Sequence, residues 1–409
     1  MIRNRLTRRS RPDSTALAFL ALACCDCAGS TATSIETGSP ATGPTVSSTS
    51  SSGSSAGGGG GSSTSGSGGS STGGSGGSST AGTGGPASGG AGPSGTGGFT
   101  SIADASGDAR DASSPPPPRE AGPPLTGKLV PTTGALLGLF YGGANGSAPS
   151  VAATDVLAGR MIDIHLQYYG WTNNWTTQIT SDGNAGRIPF VKWQPSNISL
   201  DDIIGGVHDA MLVMRATSVA SIGRPFFLSW GHEMNGNWYT WSGVLNGMSG
   251  DKYIAAYHHI HDLFVANGAT NAVWTWCPNN ASVPNETWNT AIDYYPGDAY
   301  VDWACLDGYN WGTTNGQRWQ TVQQVYGGLY PDLVGLGKPI MIGETASAEI
   351  GGDKAAWIDS LIPALKTDYP DVRAYVWFDI NKETDWRFAS SPASSAAFVR
   401  MANDPYMNP

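Results

Sequence analysis

From residue 135 onward the chain alternates short apolar runs with longer segments whose apolar residues recur at helical spacing. The short runs are "ALLGLFYGG" (Ala135–Gly143), "MIDIHLQYY" (Met161–Tyr169), "RIPFVKWQP" (Arg187–Pro195) and "PFFLSWGHE" (Pro225–Glu233). Four more follow: "NAVWTWCP" (Asn271–Pro278), "VDWACLDGYN" (Val301–Asn310), "KPIMIGET" (Lys338–Thr345) and "VRAYVWFD" (Val372–Asp379). Most carry apolar residues at consecutive positions, the pattern of strands buried on both faces. Asp251–Gly268 is the clearest helix between them. Tyr253, Ile254, Tyr257, Ile260, Leu263 and Phe264 keep the helical period there, and Gly268 serves as the stop. Asp353–Asp368 is a second, through Trp357, Ile358, Leu361, Ile362 and Leu365. Strands separated by helical crossovers predict an α/β fold, a (β/α)8 TIM barrel. A doubly wound sheet is the alternative, but "FYGGANGSAP" after the first strand is a poor match to the phosphate-binding G-x-G-x-x-G turn.

The preceding residues have no such pattern. From about Ser30 to Pro124 the chain is almost wholly Gly, Ser, Thr, Ala and Pro, and "GSGGSST" at Gly66–Thr72 recurs at Gly74–Thr80. That composition cannot bury a core, so residues 28–124 are expected to be a disordered linker, stiffer at "SSPPPPRE" (Ser113–Glu120). Its r.m.s. span would be on the order of 50–60 Å, a leash for a domain working on large or immobile substrate. Residues 1–27 combine Arg3, Arg5, Arg8, Arg9 and Arg11 with the short apolar run "ALAFLALACC", which reads as a secretory signal. "LALAC" resembles a bacterial lipoprotein signal, with Cys24 and Cys25 competing for the lipid. The expectation is an exported protein, extracellular or tethered to a membrane through a lipidated cysteine. Residues 125–409 form the folded domain, expected to be a monomer.

Charge and cysteine use narrow the chemistry. With 22 Lys and Arg against 32 Asp and Glu, and no basic cluster beyond the signal, a nucleic-acid partner is not expected. Cys277 and Cys305 fall at the ends of neighbouring predicted strands, which leaves one bridge and two buried thiols both open. Metal finds little support. "WGHEMNGNW" lacks the second histidine of H-E-x-x-H, and His258, His259 and His261 read as a solvated helix face. No G-x-S-x-G marks a serine nucleophile at a strand-to-helix turn. Neither metal nor cofactor is expected.

In a barrel the active site gathers at the carboxyl ends of the strands. Those ends carry His165 and Tyr168, Trp193, His232 and Glu233, Trp276 and Asn279, Tyr309 and Trp311, Glu344, and Trp377. Two are glutamates that end apolar runs, where a carboxylate is costly to desolvate unless something uses or pairs it. Two carboxylates facing each other suit glycosidic hydrolysis, one protonating the leaving oxygen and the other serving the oxocarbenium-like centre. Indole rings suit it too, because sugars present C–H faces that stack on them. All 15 tryptophans lie between Trp171 and Trp386.

"HEMNGNWYTW", "LDGYNW", "KPIMIGET" and "VWFDINKETDWRFASSP" together resemble glycoside hydrolase family 26, whose members are retaining (β/α)8 enzymes. The resemblance runs from about residue 135 to the end. It implies that Glu233 is the general acid/base, Glu344 the nucleophile, and Tyr309 the residue positioning that nucleophile. It also implies sugar contacts for His232 and Trp238, a platform at Trp377, and looser substrate roles for His165 and Trp193. The implied substrate is a plant-type polysaccharide cut at internal bonds, foremost β-1,4-mannan. Mixed-linkage β-1,3-1,4-glucan and β-1,3-xylan are the alternatives, since many mannanases carry Phe-Trp-Trp where this chain has Trp238-Tyr239-Thr240-Trp241. The segment "NKETDWR" is likewise closer to glucanase-like members. The rival of a different class is a surface polysaccharide-binding protein without turnover.

Overall fold

The computed structural model describes residues 125–143 and 150–409. The signal and lipidation expectations for residues 1–27, and the linker expected over 28–124, lie outside these residues. Eight parallel strands close into a barrel: β1 (Leu136–Gly143), β2 (Ile164–Gly170), β3 (Ile188–Gln194), β4 (Phe226–Trp230), β5 (Ala272–Trp276), β6 (Trp303–Asp307), β7 (Ile340–Thr345) and β8 (Val372–Ile380). Each pairs with the next in the chain, and β8 closes on β1. All eight apolar runs are therefore barrel strands.

The runs are apolar throughout because each strand serves two cores. Alternate side chains, among them Ile164, Leu166, Phe190, Phe227, Trp303, Met341 and Val376, fill the barrel interior. Their neighbours pack outward against the helices, where most of the buried tryptophans lie. Cys277 and Cys305 face inward from adjacent strands and are joined by a disulfide, so the bridge is the form this structure takes.

The helices follow the predicted stripes. The long helix Asp251–Ala266 buries Tyr253, Ala256, Tyr257, Ile260 and Phe264, and the chain leaves it through Gly268 at φ 79°. The single helix predicted over Asp353–Asp368 is instead two, Lys354–Asp359 and Leu361–Thr367, meeting at Ser360. Pro363 has no N–H to donate back to Asp359, so the hydrogen-bond ladder is interrupted there. Among the described residues no helix is long and apolar enough to cross a membrane.

Candidate active site

The two glutamates reach the same end of the barrel by different backbone devices. β4 stops at Trp230, and Gly231 (φ 59°) turns the chain so that Glu233 itself sits at φ 53°. A non-glycine residue in the left-handed region costs about 1–2 kcal/mol, a strain that collects at functional sites. The Glu233 N–H donates to Cys277 O at 2.7 Å, tying the turn to the end of β5. Glu344 is delivered by a bulge. Leu306 pairs with Ile342 but Asp307 pairs with Glu344, and Tyr375 pairs with Ile342 but Trp377 with Thr345. The extra residue re-aims the side chain inward. Gly343 makes this feasible, because a Cβ there would collide with Cys305 Sγ and lie 2.8 Å from Asp307 Oδ1.

Their surroundings differ sharply. Glu233 accepts from Asn279 Nδ2 at 2.7 Å and from the Trp238 indole N–H at 2.9 Å, both neutral donors. Burial, then the charge of Glu344, pushes its carboxyl up to about 7, against the pull of Asn279, Lys192 and Trp238. Glu344 accepts from Tyr309 Oη at 2.6 Å and from Lys192 Nζ, which also reaches Asp307 Oδ2 at 2.6 Å. Burial is the largest single influence and opposes ionisation here as well, but the charge and hydrogen bond of Lys192, with His232 and Tyr309, together outweigh it and hold Glu344 down at about 2. His232 Nε2 lies 3.7 Å from Glu344 Oε1 and 3.3 Å from Tyr239 Oη. Burial first, then Lys192, pushes this imidazole down to about 3, so it is neutral.

Above the pair lies a cavity of about 690 Å³ whose walls include Glu233, Trp238, Tyr309, Glu344, Phe378 and Trp386. Four of the eight predicted site residues thus face it. His232 is wholly buried and does not line the cavity; its ring lies within 3.7 Å of Glu344 and 3.3 Å of Tyr239, and the Trp241 indole donates to its carbonyl at 2.8 Å. The other three need correction. His165, Trp193 and Trp377 point away from the barrel axis because their inward-facing neighbours in the strand are Ile164 and Leu166, Lys192, and Val376 and Phe378. His165 Nδ1 is 2.9 Å from Asp182 Oδ1 on the helix Thr176–Asn184. Trp193 stacks on Trp171 at 4.6 Å, wholly buried. Trp377 packs on Phe398 in the helix layer, and its N–H donates to Trp386 O at 2.9 Å. It therefore supports the loop that carries the cavity tryptophan without being the platform itself. Trp386 rests on Tyr309 (5.1 Å) and Trp311 (5.0 Å).

No motif or predicted strand end singles out Lys192 or Asp307, although a lone lysine inside "RIPFVKWQP" is an anomaly in a buried strand. His258, His259 and His261 differ from the solvated face expected of them. His258 stacks on Tyr300 at 3.7 Å, His259 bonds Asp209 at 2.6 Å, and His261 lies against Trp274. Among the described residues one group, Cys277, Cys305 and Asp307, has the proximity to hold a metal. Its sulfurs are joined to each other and its carboxylate is paired with Lys192, so these residues do not fit one.

A family model for glycosyl hydrolase family 26 matches residues 163–404. Endoglucanase H of Acetivibrio thermocellus is 41% identical over 271 residues, which are 64% of this chain and 30% of that protein. A mannan endo-1,4-beta-mannosidase of Bacillus subtilis is 26% identical over 187 residues, 44% of this chain and 45% of its own length. The chain therefore spans less than half of either relative. A β-mannanase from Bacteroides ovatus shares the fold, with a TM-score of 0.53 at 16% identity over 67% of this chain and 90% of that one.

Proposed function

The chain belongs to glycosyl hydrolase family 26, and from that premise we propose that it hydrolyses internal bonds of a β-linked polysaccharide with net retention. The observation that carries this reading is the opposite polarity of two buried glutamates facing one cavity. Glu233 holds a proton near neutrality, as a general acid must, and Glu344 is a carboxylate, as a nucleophile must be. In the first step Glu344 attacks the anomeric carbon while Glu233 passes its proton to the departing oxygen. In the second, Glu233, now a carboxylate, takes a proton from water as that water displaces Glu344. Tyr309 steadies the charge on Glu344 before attack, and its hydrogen bond weakens as that charge is spent on the sugar.

For the substrate, three features favour a β-glucan over the mannan expected first. The relative at 41% identity is named an endoglucanase, whereas the mannosidases stand at 26% and 25%. Trp238-Tyr239-Thr240-Trp241 departs from the mannanase aromatics, and "NKETDWR" points the same way. β-Mannan is the second reading, supported by those mannosidase relatives.

Incubation with mixed-linkage glucan and with mannan, followed by assay of new reducing ends, tests substrate and turnover together. Release from glucan well above mannan is expected. The reverse establishes the second reading, and binding without release from either overturns the enzyme. For mechanism, Glu344→Ala rescued by azide should yield the α-glycosyl azide, and a β-azide would transfer the nucleophile role to Glu233.

A further inference from the structure

We propose that Lys192 is a positioning residue that fixes the division of labour between the two glutamates, keeping Glu344 ionised while the proton resides on Glu233. This rests on the hydrolytic reading above. β3 stands across the barrel from β7, with three strands between them on either side. Lys192 crosses the interior from the middle of β3 to Asp307 at 2.6 Å and to Glu344 Oε1. It is completely buried and lies outside the cavity wall, so substrate does not touch it. Of the two glutamates it contacts only Glu344, so its effect passes chiefly through that residue.

A barrel interior is ordinarily filled with branched apolar side chains, as the layer of Phe190, Phe227 and Met341 is filled with apolar groups here. Stability alone would favour such a residue at 192, because a buried ion pair often gains nothing over apolar packing of similar volume. The charged groups around Glu344 show what the lysine does instead. From the turn after β4 come Glu233, an anion when ionised, and the neutral His232. From β6 and the segment after it come Asp307 and the Tyr309 hydroxyl. Lys192, from β3, is the one cation among these facing groups. The Cys277–Cys305 bridge, packed beside Gly343, does not titrate. Without Lys192, three carboxyl groups would share a desolvated site with no positive charge, and the neutral donors that remain, Tyr309 on Glu344 and both Asn279 and Trp238 on Glu233, would no longer favour Glu344 as the residue that ionises.

The test is the pH profile of kcat/KM for Lys192→Met beside the parent enzyme. An opposite charge at this distance depresses a carboxyl by about 1–3 units, so the acid limb should rise by about that much in the variant. With the parent limb at about 2 and the variant's at about 3–5, the loss should be about 2–100-fold at pH 3, with KM changed far less. An acid limb that stays in place overturns the proposal. Folding is safeguarded by Lys192→Met/Asp307→Asn, which removes the lysine together with the buried carboxyl it bonds and should also show a raised limb. A purely structural lysine is separated by a second comparison. In the Glu344→Ala background, azide-rescued turnover should be almost insensitive to Lys192→Met, because the group it acts on is gone. Equal losses in both backgrounds would sink the idea. Absence of hydrolysis by the parent enzyme would instead refute the functional reading.

Discussion

Glu233 and Glu344 are the same residue type, 8% and 5% exposed, at the ends of strands of one barrel, yet their surroundings treat them oppositely. Around Glu233 stand an amide and an indole; around Glu344 stand an ammonium and a phenol. Burial pushes both carboxyls toward the neutral form, so burial cannot be what separates them. What does is a cation in direct contact with Glu344 that acts on Glu233 only from farther off, and this division suits the proposed roles of proton donor and nucleophile.

The largest effect that can break this comparison is on turnover. Glu344→Ala should lower kcat on polymer by on the order of 10⁵-fold, as loss of a nucleophile does in other enzymes. Glu233→Ala should cost about 10²–10⁴-fold, the range for general acid–base help. The two should then part on an aryl glycoside whose leaving group needs no proton. There the bond-breaking step of Glu233→Ala recovers and that of Glu344→Ala does not. Burst-phase release of the phenol from both variants is the measurement, and equal deficits would mean that the assignment is wrong.

Much of the fold was legible because the barrel writes its two cores into each strand as unbroken apolar runs, and all eight runs became strands. The site was legible where chemistry is local. A glutamate closing an apolar run is costly enough to be noticed, and both such residues face the cavity. Facing was harder to read. Side chains alternate along a strand, so an error of one position moves a residue from the interior to the helix layer. Trp193 and Trp377 sit near strand ends and so suggest site residues, but it is the adjacent Lys192 and Phe378 that point inward. Glu344 escapes that alternation only through the bulge at Gly343, which no apolar pattern announces. Lys192 reaches β7 from the opposite wall, 152 residues away in the chain, and local spacing carries no trace of such a contact.

A smaller effect sharpens the comparison through stability, where the two glutamates should act with opposite signs. Glu344→Gln leaves Lys192 with Asp307 as its remaining anion, and weakening a buried pair should cost about 3 kcal/mol, on the order of 5 °C in Tm. Glu233 behaves in reverse. Its carboxyl is raised from an ordinary 4.5 to about 7, so the folded state binds that proton more tightly than the unfolded one. Its contribution is whole below the ordinary value and is lost as pH rises through about 7. Glu233→Gln, which cannot ionise, should therefore match the parent near pH 4.5 and exceed it by about 1–3 kcal/mol at pH 8. Calorimetry at both pH values reads the difference. A stability advantage of Glu233→Gln that fails to grow with pH contradicts the picture of a proton-holding site.

The finest probe is the Trp238 indole, which separates a sugar platform from a tuning group. Its N–H favours the ionised form of Glu233, so Trp238→Phe should raise that carboxyl and carry the alkaline limb of kcat/KM upward by less than about 1 pH unit. Activity requires Glu233 protonated, so the variant keeps working at a pH where the parent has begun to fail. Lost stacking lowers kcat/KM at every pH and does not shift the limb, which keeps the two roles apart in one data set. Trp311 also lines the cavity, and its contacts there are with Tyr309 and Trp386. Trp311→Phe should accordingly weaken turnover with the limb unmoved. A downward shift in Trp238→Phe, or equal shifts in both variants, would mean that the neutral donors around Glu233 do not set its proton affinity.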